Sequence, residues 1–261
     1  MGAWSIVTGA ASGLGFELAR LLAADGYQLC LVDYNGEGLL RAKKELEQEF
    51  GMLVENHVVD LGEPKAAEKL WSAIGHHRIE ILVNNAGFGL YGFFAETDWK
   101  KEESMLYLHV LTLTHLTKLV LAQMVNEGSG KILNVASLAA FQPGPLMSIY
   151  YASKAYILSF TEALANELKG TGISVTVLLP GWFRTNFQKT TALNSNVEES
   201  RSRLHTATAV KVAKKGYSGM MRGKVHVIPG LANKLMARAP RIIPRRVMTS
   251  IIRRIQEGLR K

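Results

Sequence analysis

Three residues near the middle of the chain have the types and the spacing needed to move a proton. Tyr150 and Lys154 lie four residues apart, and Ser137 precedes Tyr150 by thirteen residues. Residues four apart share one face of a helix, so the lysine charge would lower the pKa of the phenol. Such a tyrosine can give a proton to an alkoxide or take one from an alcohol, while the serine hydroxyl binds the same oxygen. The set predicts acid–base chemistry at a carbonyl or an alcohol.

The adjacent Tyr151 is the competing candidate for the acid. Four positions after it comes Ala155, which carries no charge, so we assign the role to Tyr150. A Tyr-x-x-x-Lys pair alone is also common on solvated helix faces. The serine that follows a predicted strand upstream argues against that interpretation here.

A glycine-rich turn near the start of the chain offers a place for the second reactant. Gly9, Gly13 and Gly15 lie where the first predicted strand meets the first predicted helix. Glycines there let the backbone approach a pyrophosphate, and the helix N-terminus favours its charge. Asp33 ends the second predicted strand, where a carboxylate binds ribose hydroxyls and repels a 2′-phosphate. Neither of the next two residues is basic, so we predict NAD as cofactor in preference to NADP.

Short apolar segments alternate along the chain with longer segments of helical periodicity. The segments predicted to be strands are 4–7, 28–33, 54–60, 79–84, 131–136, 174–179 and 224–228. The segments predicted to be helices are 14–24, 38–50, 64–74, 99–126 and 152–168. Several strands are apolar throughout, as buried parallel strands are. We therefore predict an α/β protein with a single-domain Rossmann fold, in which helices cover both faces of a doubly wound, seven-stranded parallel sheet.

Length and composition fit one domain. The chain has 261 residues, 48% of them hydrophobic and 20% charged, which indicates a globular protein. We assign residues 1–230 to an NAD(P)-binding Rossmann domain that includes the catalytic residues, and 231–261 to a basic helical extension of the same domain. The single cysteine, Cys30, cannot form an internal disulfide, and the first residues show no basic leader. We expect a cytoplasmic protein.

Two further segments stand out. The apolar stretch 105–125 has the length to cross a bilayer, but it contains His109, His115, Lys118 and Gln123. Burying these in lipid would be costly, so we expect a helix inside the fold or at a subunit interface. The polar segment 186–203 is expected to be a mobile loop.

The motifs together resemble the short-chain dehydrogenase/reductase family over most of the chain. The matching segments are Thr-Gly-Ala-Ala-Ser-Gly-Leu-Gly at 8–15, Asp60-Leu61, Asn-Asn-Ala-Gly at 84–87, Ser137, Tyr150-x-x-x-Lys154 and Pro180-Gly181. The resemblance implies an oxidoreductase that moves a hydride between a nicotinamide and an alcohol or ketone, as a homodimer or homotetramer. The final segment resembles a subgroup that often carries an arginine after the second strand and prefers NADP. Asp33 departs from that habit.

The resemblance also implies a set of cofactor-binding residues. They are Gly9, Ser12, Gly13, Leu14, Gly15, Asp33, Asp60, Leu61, Asn84, Ala86, Gly87, Tyr150, Lys154, Pro180, Gly181, Phe183 and Thr185. Within this set, Asp60 would contact the adenine amino group, and Asn84, Ala86 and Gly87 would border the adenine ribose. Pro180, Gly181 and Phe183 would flank the nicotinamide, with Thr185 reaching its carboxamide.

One position differs from the family pattern. The family carries an asparagine in the long fourth helix, where it holds a water in the proton relay, and this chain has His109 there. An imidazole can also bind water and carry protons. Alternatively, the histidine packs in place and weakens the relay. We therefore include His109 among the candidate catalytic residues and leave both interpretations open.

The substrate side is predicted to be apolar. The residues expected to border the cleft are Phe88, Leu138, Phe141, Pro143, Leu146, Met147, Trp182 and Phe187. They favour a hydrophobic carbonyl or alcohol as substrate. The other histidines lack metal-ligand spacing, so no metal site is expected.

The positive charge is concentrated at the end of the chain. Residues 234–261 contain nine basic residues and one acid, Glu257. An apolar stripe at helical spacing accompanies them: Val247, Met248, Ile251, Ile252, Ile255 and Leu259. Such a helix more often packs on its own domain, but a basic amphipathic helix also binds anionic membranes, so weak membrane contact is an open alternative. No recognition module accompanies the charge, so nucleic acid is not an expected partner.

Two kinds of function remain in view. The leading hypothesis is an NAD(P)-dependent oxidoreductase with Tyr150 as general acid/base. The alternative is a dinucleotide-binding regulatory or membrane-peripheral protein with weak catalysis, which His109 keeps open.

Overall fold

A computed structural model describes residues 2–182 and 208–258 of the chain. Several predictions fall outside these ranges. They concern Phe183, Thr185 and Phe187, the loop at 186–203, and Leu259 of the apolar stripe.

The strands form one parallel seven-stranded sheet. They are β1 (Trp4–Thr8), β2 (Gln28–Asp33), β3 (Val54–Val58), β4 (Ile79–Asn84), β5 (Gly130–Val135), β6 (Ile173–Leu178) and β7 (His226–Val227). Their order is β3-β2-β1-β4-β5-β6-β7, and every neighbouring pair is parallel. The order reverses between β1 and β4, which places a crevice at their carboxyl ends. The predicted fold class is confirmed.

Nine α-helices lie within the described ranges. They are α1 (Gly13–Ala24), α2 (Gly36–Phe50), α3 (Ala66–Ile74), α4 (Trp99–Leu106), α5 (Leu113–Glu127), α6 (Ser148–Glu167), α7 (Ala209–Met221), α8 (Leu231–Arg238) and α9 (Arg245–Glu257). A π-helical turn, Tyr107–Thr112, joins α4 to α5. Short 3-10 helices occupy Leu138–Phe141 and Ala239–Arg241.

Apolar side chains fill both sides of the sheet. The central strands contribute fully buried residues such as Ile6, Leu31 and Leu82. One core cluster packs α1, α2 and α7 on one face, and a second packs α3, α5 and α6 on the other. Burial on both faces explains why these strands read as continuous apolar runs instead of alternating ones.

The long apolar helix packs inside the fold. Trp99–Glu127, taken as one helix, is long and apolar enough to cross a membrane by length and composition alone. In the structure, α5 contacts β4 and β5 and buries Leu116, Val120 and Met124 in the core beneath them. This agrees with the expectation of a helix inside the fold.

The last helix docks on the Rossmann domain along one face. Met248, Ile252 and Gln256 of α9 are buried. The Gln256 side chain donates from Nε2 to the Tyr151 hydroxyl at 3.0 Å, and its backbone carbonyl accepts from the Tyr91 hydroxyl at 2.6 Å. Because one of these contacts reaches Tyr151 in α6, helix α9 packs directly beside the start of α6.

Replacing a docked residue of α9 should destabilise the protein far more than replacing its neighbour. Ile252→Ala removes a side chain that is 8% exposed, so we expect the free energy of unfolding to fall by about 2–4 kcal/mol. Ile251, which is 40% exposed, is the matched control, and its alanine variant should lose under about 1 kcal/mol. Chemical denaturation measures both values, and equal losses would contradict the docking.

Candidate active site

The glycine-rich turn is held by a cluster of hydrogen bonds between the ends of β1 and β4. Asn85 donates from Nδ2 to the carbonyls of Thr8 at 2.9 Å and Gly9 at 3.2 Å. The backbone amides of Asn85 and Ala86 donate to Thr8 Oγ1. Gly9 has a left-handed φ of 67°, which glycine adopts without strain. A side chain at Gly15 would overlap the Gly9 carbonyl, so the turn and α1 can approach closely only with glycine there.

The start of α1 is open toward a ligand. Ser12 is the N-cap residue, but its side chain makes no capping hydrogen bond. The first amides of a helix attract anions when no side chain satisfies them. Gly13, with φ of 60°, and Leu14 follow directly. This geometry fits the pyrophosphate of a dinucleotide.

Asp33 lies beside the same turn, at the carboxyl end of β2. Its Oδ2 accepts from the Ala11 amide at 3.1 Å, and its Oδ1 accepts from the Asn35 amide at 3.0 Å. The carboxylate is thereby fixed next to the glycine loop. This is the position expected for a group that binds the adenine ribose.

The other residues that were predicted to bind the nucleotide differ in burial and in their hydrogen-bond partners. Asp60 is exposed and accepts from the Gly62 amide at 2.8 Å, while Leu61 is buried. Asn84 was expected to border the ribose, but its side chain is only 5% exposed. Its Nδ2 donates to Thr117 Oγ1 at 3.0 Å and to Asn134 Oδ1 at 2.9 Å. The Asn84 side chain is therefore bonded inside the fold, and the contact of this residue with the ribose stays a prediction.

The catalytic candidates converge at the carboxyl end of β5 and the start of α6. The Ser137 side chain lies close enough to Tyr150 to act on the pKa of its hydroxyl. Lys154 is 4% exposed, and its Nζ donates to the Val135 carbonyl at 3.1 Å. Nζ lies 5.7 Å from the centre of the Tyr150 ring. The structure thus brings together the three residues that the spacing predicted.

The ionisation of this set differs from the prediction. Burial raises the pKa of Tyr150, and the hydrogen bond from Ser137 opposes this only in part. Burial also lowers the pKa of Lys154 from 10.5 to about 7. A lysine that is partly neutral at pH 7 supplies less than a full charge, so the expected lowering of the tyrosine pKa is wrong for the protein alone. The phenol is instead kept protonated.

His109 is buried in the π-helical turn with both ring nitrogens engaged. The Phe88 amide donates to Nε2 at 3.3 Å, so Nε2 is the unprotonated nitrogen. Nδ1 then carries the proton and lies 2.8 Å from Ser153 Oγ, which in turn donates to the Tyr150 carbonyl. Burial, followed by the charge of Lys154, lowers the pKa of His109 well below its usual value. The contacts favour the packed, neutral histidine over one that holds a relay water.

Gly87 makes this packing possible. A Cβ at that position would lie 2.8 Å from His109 Nε2 and 3.4 Å from Lys154 Nζ. The first distance is too short for a side chain unless the histidine shifts, so the backbone at Gly87 lies close against His109 and Lys154. Its role in the structure is close approach, as expected for glycine in a site.

The apolar residues that were predicted to border the substrate cleft differ in how far they are exposed. Leu146 and Met147 are buried, whereas Trp182 is 37% exposed. Leu146 has a left-handed φ of 68°, which is uncommon for a branched side chain, and its carbonyl accepts from the Gly92 amide at 2.9 Å. The remaining candidates, Phe88, Leu138, Phe141 and Pro143, are half-buried.

An open cavity of about 580 Å³ lies between this segment and α9. It is lined by Phe93, Pro145, Leu146, Arg246, Thr249, Ser250 and Arg253. The sequence alone did not indicate that α9 shares a cavity with the segment before Tyr150. The basic and apolar residues of α9 predict an amphipathic helix, but their pattern does not indicate which loop of the domain the helix packs against.

At the opposite end of the cofactor cleft, Pro180 and Gly181 follow β6. The Leu138 amide donates to the Pro180 carbonyl at 3.0 Å, which ties this segment to the serine loop. A Cβ at Gly181 would meet the side chain of Asn233 in α8. Phe183 and Thr185 lie beyond the described part of the chain.

Comparison with known proteins relates the fold and site to one family. The model of the family described as short chain dehydrogenase matches residues 3–196. A very-long-chain 3-oxoacyl-CoA reductase of Anas platyrhynchos is 31% identical over 194 residues, which are 72% of this chain and 62% of that protein. The chain therefore matches less than two thirds of that relative's length.

Solved structures extend the similarity to almost the whole chain. A short-chain dehydrogenase from Sphingobium yanoikuyae in complex with NADPH has a TM-score of 0.82 at 29% identity, covering 91% of this chain and 92% of that one. A short chain dehydrogenase/reductase from Burkholderia phymatum in complex with NAD has a TM-score of 0.81 at 24% identity, with the same coverage of both chains, and shares the fold.

The buried lysine should give the stability of the protein a distinct pH dependence. Because folding lowers the pKa of Lys154 from 10.5 to about 7, the unfolded chain binds more protons between these values. The contribution of Lys154 to the free energy of unfolding should therefore rise with pH across that window. His109, whose pKa is lowered, titrates below the window. Cys30 and Tyr150, whose pKa values burial raises from 9.0 and 10.0, act in the opposite direction at the alkaline end, so a variant of Lys154 is needed to isolate the lysine.

Lys154→Met keeps the aliphatic stem and removes this titration, so its unfolding free energy should be flatter from about pH 7 to 10. Denaturant titrations of both proteins at several pH values within the window measure the two slopes. A wild-type slope no steeper than that of the methionine variant would contradict the lowered pKa.

Proposed function

Because the chain belongs to the short-chain dehydrogenase family, we propose that it is an NAD-dependent oxidoreductase acting on a hydrophobic ketone or alcohol. The observation that carries this proposal is the convergence of Ser137, Tyr150 and the buried Lys154 at the same edge of the sheet as the open glycine turn. One end of the crevice can bind a dinucleotide and the other can exchange a proton with a substrate oxygen. Both halves of a hydride-transfer reaction are therefore adjacent.

A bound nicotinamide cofactor would supply or accept the hydride. In reduction, the carbonyl oxygen of the substrate accepts a hydrogen bond from Ser137 and the proton of the Tyr150 hydroxyl. The carbon receives the hydride, and the product is a neutral alcohol. Lys154, close to the tyrosine ring and partly charged near pH 7, stabilises the phenolate until it regains a proton. The raised pKa of Tyr150 keeps the phenol protonated in the protein alone.

His109 acts in this scheme as a positioning residue. Its Nδ1 proton is directed at Ser153, whose hydroxyl is bonded to the backbone of Tyr150. The contact fixes the first turn of the catalytic helix. Proton supply through a water on Nε2 is not required, since the Phe88 amide already occupies that nitrogen.

Asp33 supports NAD as the preferred cofactor. Its carboxylate is fixed beside the glycine loop, and the exposed Tyr34 follows it where a cation would be needed for a 2′-phosphate. The two structural relatives bind NADPH and NAD respectively, so they do not decide the preference. The preference for NAD rests on the negative charge of Asp33 in this chain.

The substrate class is supported by the side chains near α6 and by one relative. Two buried apolar residues, Leu146 and Met147, precede Tyr150 closely in the chain. The neighbouring cavity is lined by Leu146 and by Phe93. The relative from Anas platyrhynchos is named for a very-long-chain 3-oxoacyl-CoA substrate, which is a hydrophobic ketone. We further infer a cytoplasmic homo-oligomer, supported by the single buried cysteine, Cys30, and by the family.

Tyr150→Phe should abolish turnover and leave cofactor binding nearly unchanged. The ring still packs, and only the transferable proton is lost, so we expect kcat to fall by about 10²-fold or more. A panel of hydrophobic ketones and alcohols with NAD(H), followed at the nicotinamide absorbance band, measures turnover. Tyr151→Phe is the matched control; it loses a hydrogen bond from Gln256 and should retain most activity. Activity lost only in the Tyr151 variant would reverse the assignment.

The protein should bind NAD(H) more tightly than NADP(H), and Asp33→Ala should remove the preference. Losing hydrogen bonds from a charged acceptor should weaken NAD(H) binding by roughly tenfold to a hundredfold. Asp33→Asn keeps an acceptor for the Ala11 or Asn35 amide and removes the charge, so it should gain NADP(H) affinity without disturbing the loop. Calorimetric titration gives each constant. Tighter NADP(H) binding by the unmodified protein would refute the assignment.

A further inference from the structure

Exposed apolar side chains are concentrated in the last two helices. Seven of the eighteen large apolar side chains that are exposed in the described part of the chain fall within 231–255. They are Leu231, Leu235, Met236, Ile242, Val247, Ile251 and Ile255. Ile242 is 84% exposed and Leu231 is 76% exposed. Single exposed apolar residues are ordinary, but a cluster of this size in so short a segment indicates a binding surface.

The docking of α9 does not account for this cluster. The face that packs on the domain carries Met248 and Ile252, which are buried. Val247, Ile251 and Ile255 follow one another at four-residue spacing and form a second stripe beside that face, and each is 40–50% exposed. The helix is therefore apolar over a wider arc than its own domain covers.

Exposed basic side chains occupy the same two helices as the exposed apolar ones. Lys234, Arg238, Arg245, Arg246 and Arg254 are all exposed. None of these five forms an ion pair with any described residue. The one acid of the segment, Glu257, pairs with Arg253 at 2.7 Å. The surface thus combines apolar side chains with unneutralised positive charge.

We propose that this surface, defined by the exposed residues of α8, the linker residue Ile242 and α9, binds an anionic lipid bilayer. Apolar side chains such as Ile242 and Ile251 enter the boundary between headgroups and acyl chains. The guanidinium groups of Arg245 and Arg254 pair with lipid phosphates, which their long stems allow them to reach. Charge complementarity favours this partner, because an anionic bilayer offers phosphates directly beside an apolar boundary.

The test measures co-sedimentation of the full chain with vesicles. Vesicles of phosphatidylcholine with phosphatidylglycerol should bind the protein, and vesicles of phosphatidylcholine alone should bind it at least tenfold more weakly. Raising the salt concentration to about 1 M shortens electrostatic screening to about 3 Å and should release most of the protein. Equal binding to both vesicle types, or binding to neither, would overturn the proposal.

A matched pair of double variants locates the surface. Ile251→Ser with Arg254→Glu changes one apolar and one basic residue of α9. Each charge near an anionic surface contributes about fivefold to affinity, and Arg254→Glu changes the charge by two, so this variant should bind at least roughly 25-fold more weakly. Leu40→Ser with Lys44→Glu makes the same changes on the exposed side of α2, which packs on β2 and β3. The control should bind as the wild type does, and equal loss in both would overturn the proposal.

Two further measurements, of melting temperature and of sedimentation velocity, test whether another part of this chain or a second copy of it covers the surface instead. If another part of this chain covers the stripe, the α9 variant should melt several degrees lower than the control. If a second copy covers it, the α9 variant should change from a larger to a smaller oligomer without vesicles present. Either result without loss of vesicle binding would overturn the proposal. Should Ile251→Ser prevent folding, Arg245→Glu with Arg254→Glu tests the same surface by charge alone.

Discussion

The hydrogen bonds between Thr8 and Asn85 hold together the two loops on which the whole site depends. The asparagine side chain binds the carbonyls of Thr8 and Gly9, and the threonine hydroxyl receives two backbone amides while donating to the Val83 carbonyl. The ends of β1 and β4 are thereby fixed at the point where the strand order reverses. The first loop shapes the glycine turn, and the second leads within two residues to Gly87. A shift at this junction would reach the nucleotide end and the catalytic end together.

Behind that junction, the site depends on polar groups that are buried but bonded. Asn84 and Asn134 link α5, β4, β5 and α6 through Thr117 and Thr161. Lys154 is bonded to a backbone carbonyl, and His109 to a serine and a backbone amide. Buried polar groups without partners are destabilising, so each of these contacts offsets the cost of burying the groups that make it. The same burial changes the pKa values, so stability and reactivity at this edge have one common origin.

Much of the fold could be predicted from the sequence, because the central strands have strong local signals. The bounds of β2 and β4 agree with the prediction, and the glycines after α2 and α5 adopt the left-handed cap conformation. The edge strand β7 is shorter than predicted, since only two of its residues pair with β6. Helix α7 was missed. It follows directly on a polar segment, and its glycines at Gly216 and Gly219 pack against β6 and β7 instead of ending the helix.

The candidate site could be predicted in composition but not in its electrostatics. Ser137, Tyr150 and Lys154 meet as their spacing indicated. The direction of the tyrosine pKa was wrong, because spacing shows that a lysine is near but not that it is desolvated. The π-helical turn around His109 has no signature in single-residue propensities. The contact of Gln256 with Tyr151 joins residues 105 positions apart, and only the folded chain reveals it.

That long-range contact bears on how the protein is synthesised. Residues near the N-terminus leave the ribosome first, and the Rossmann strands can begin to pair while later segments are still being added. The hydrogen bond from Tyr91 to Gln256, however, joins residues 165 positions apart and forms only after Gln256 has been synthesised. The same is true of the hydrogen bond from Gln256 to Tyr151 in α6. Until α9 has been translated, one wall of the crevice is open and the apolar surface of Leu146 and Met147 lacks its cover. A nascent chain stalled before α9 would therefore present this surface to chaperones, although most of its sheet could already have formed.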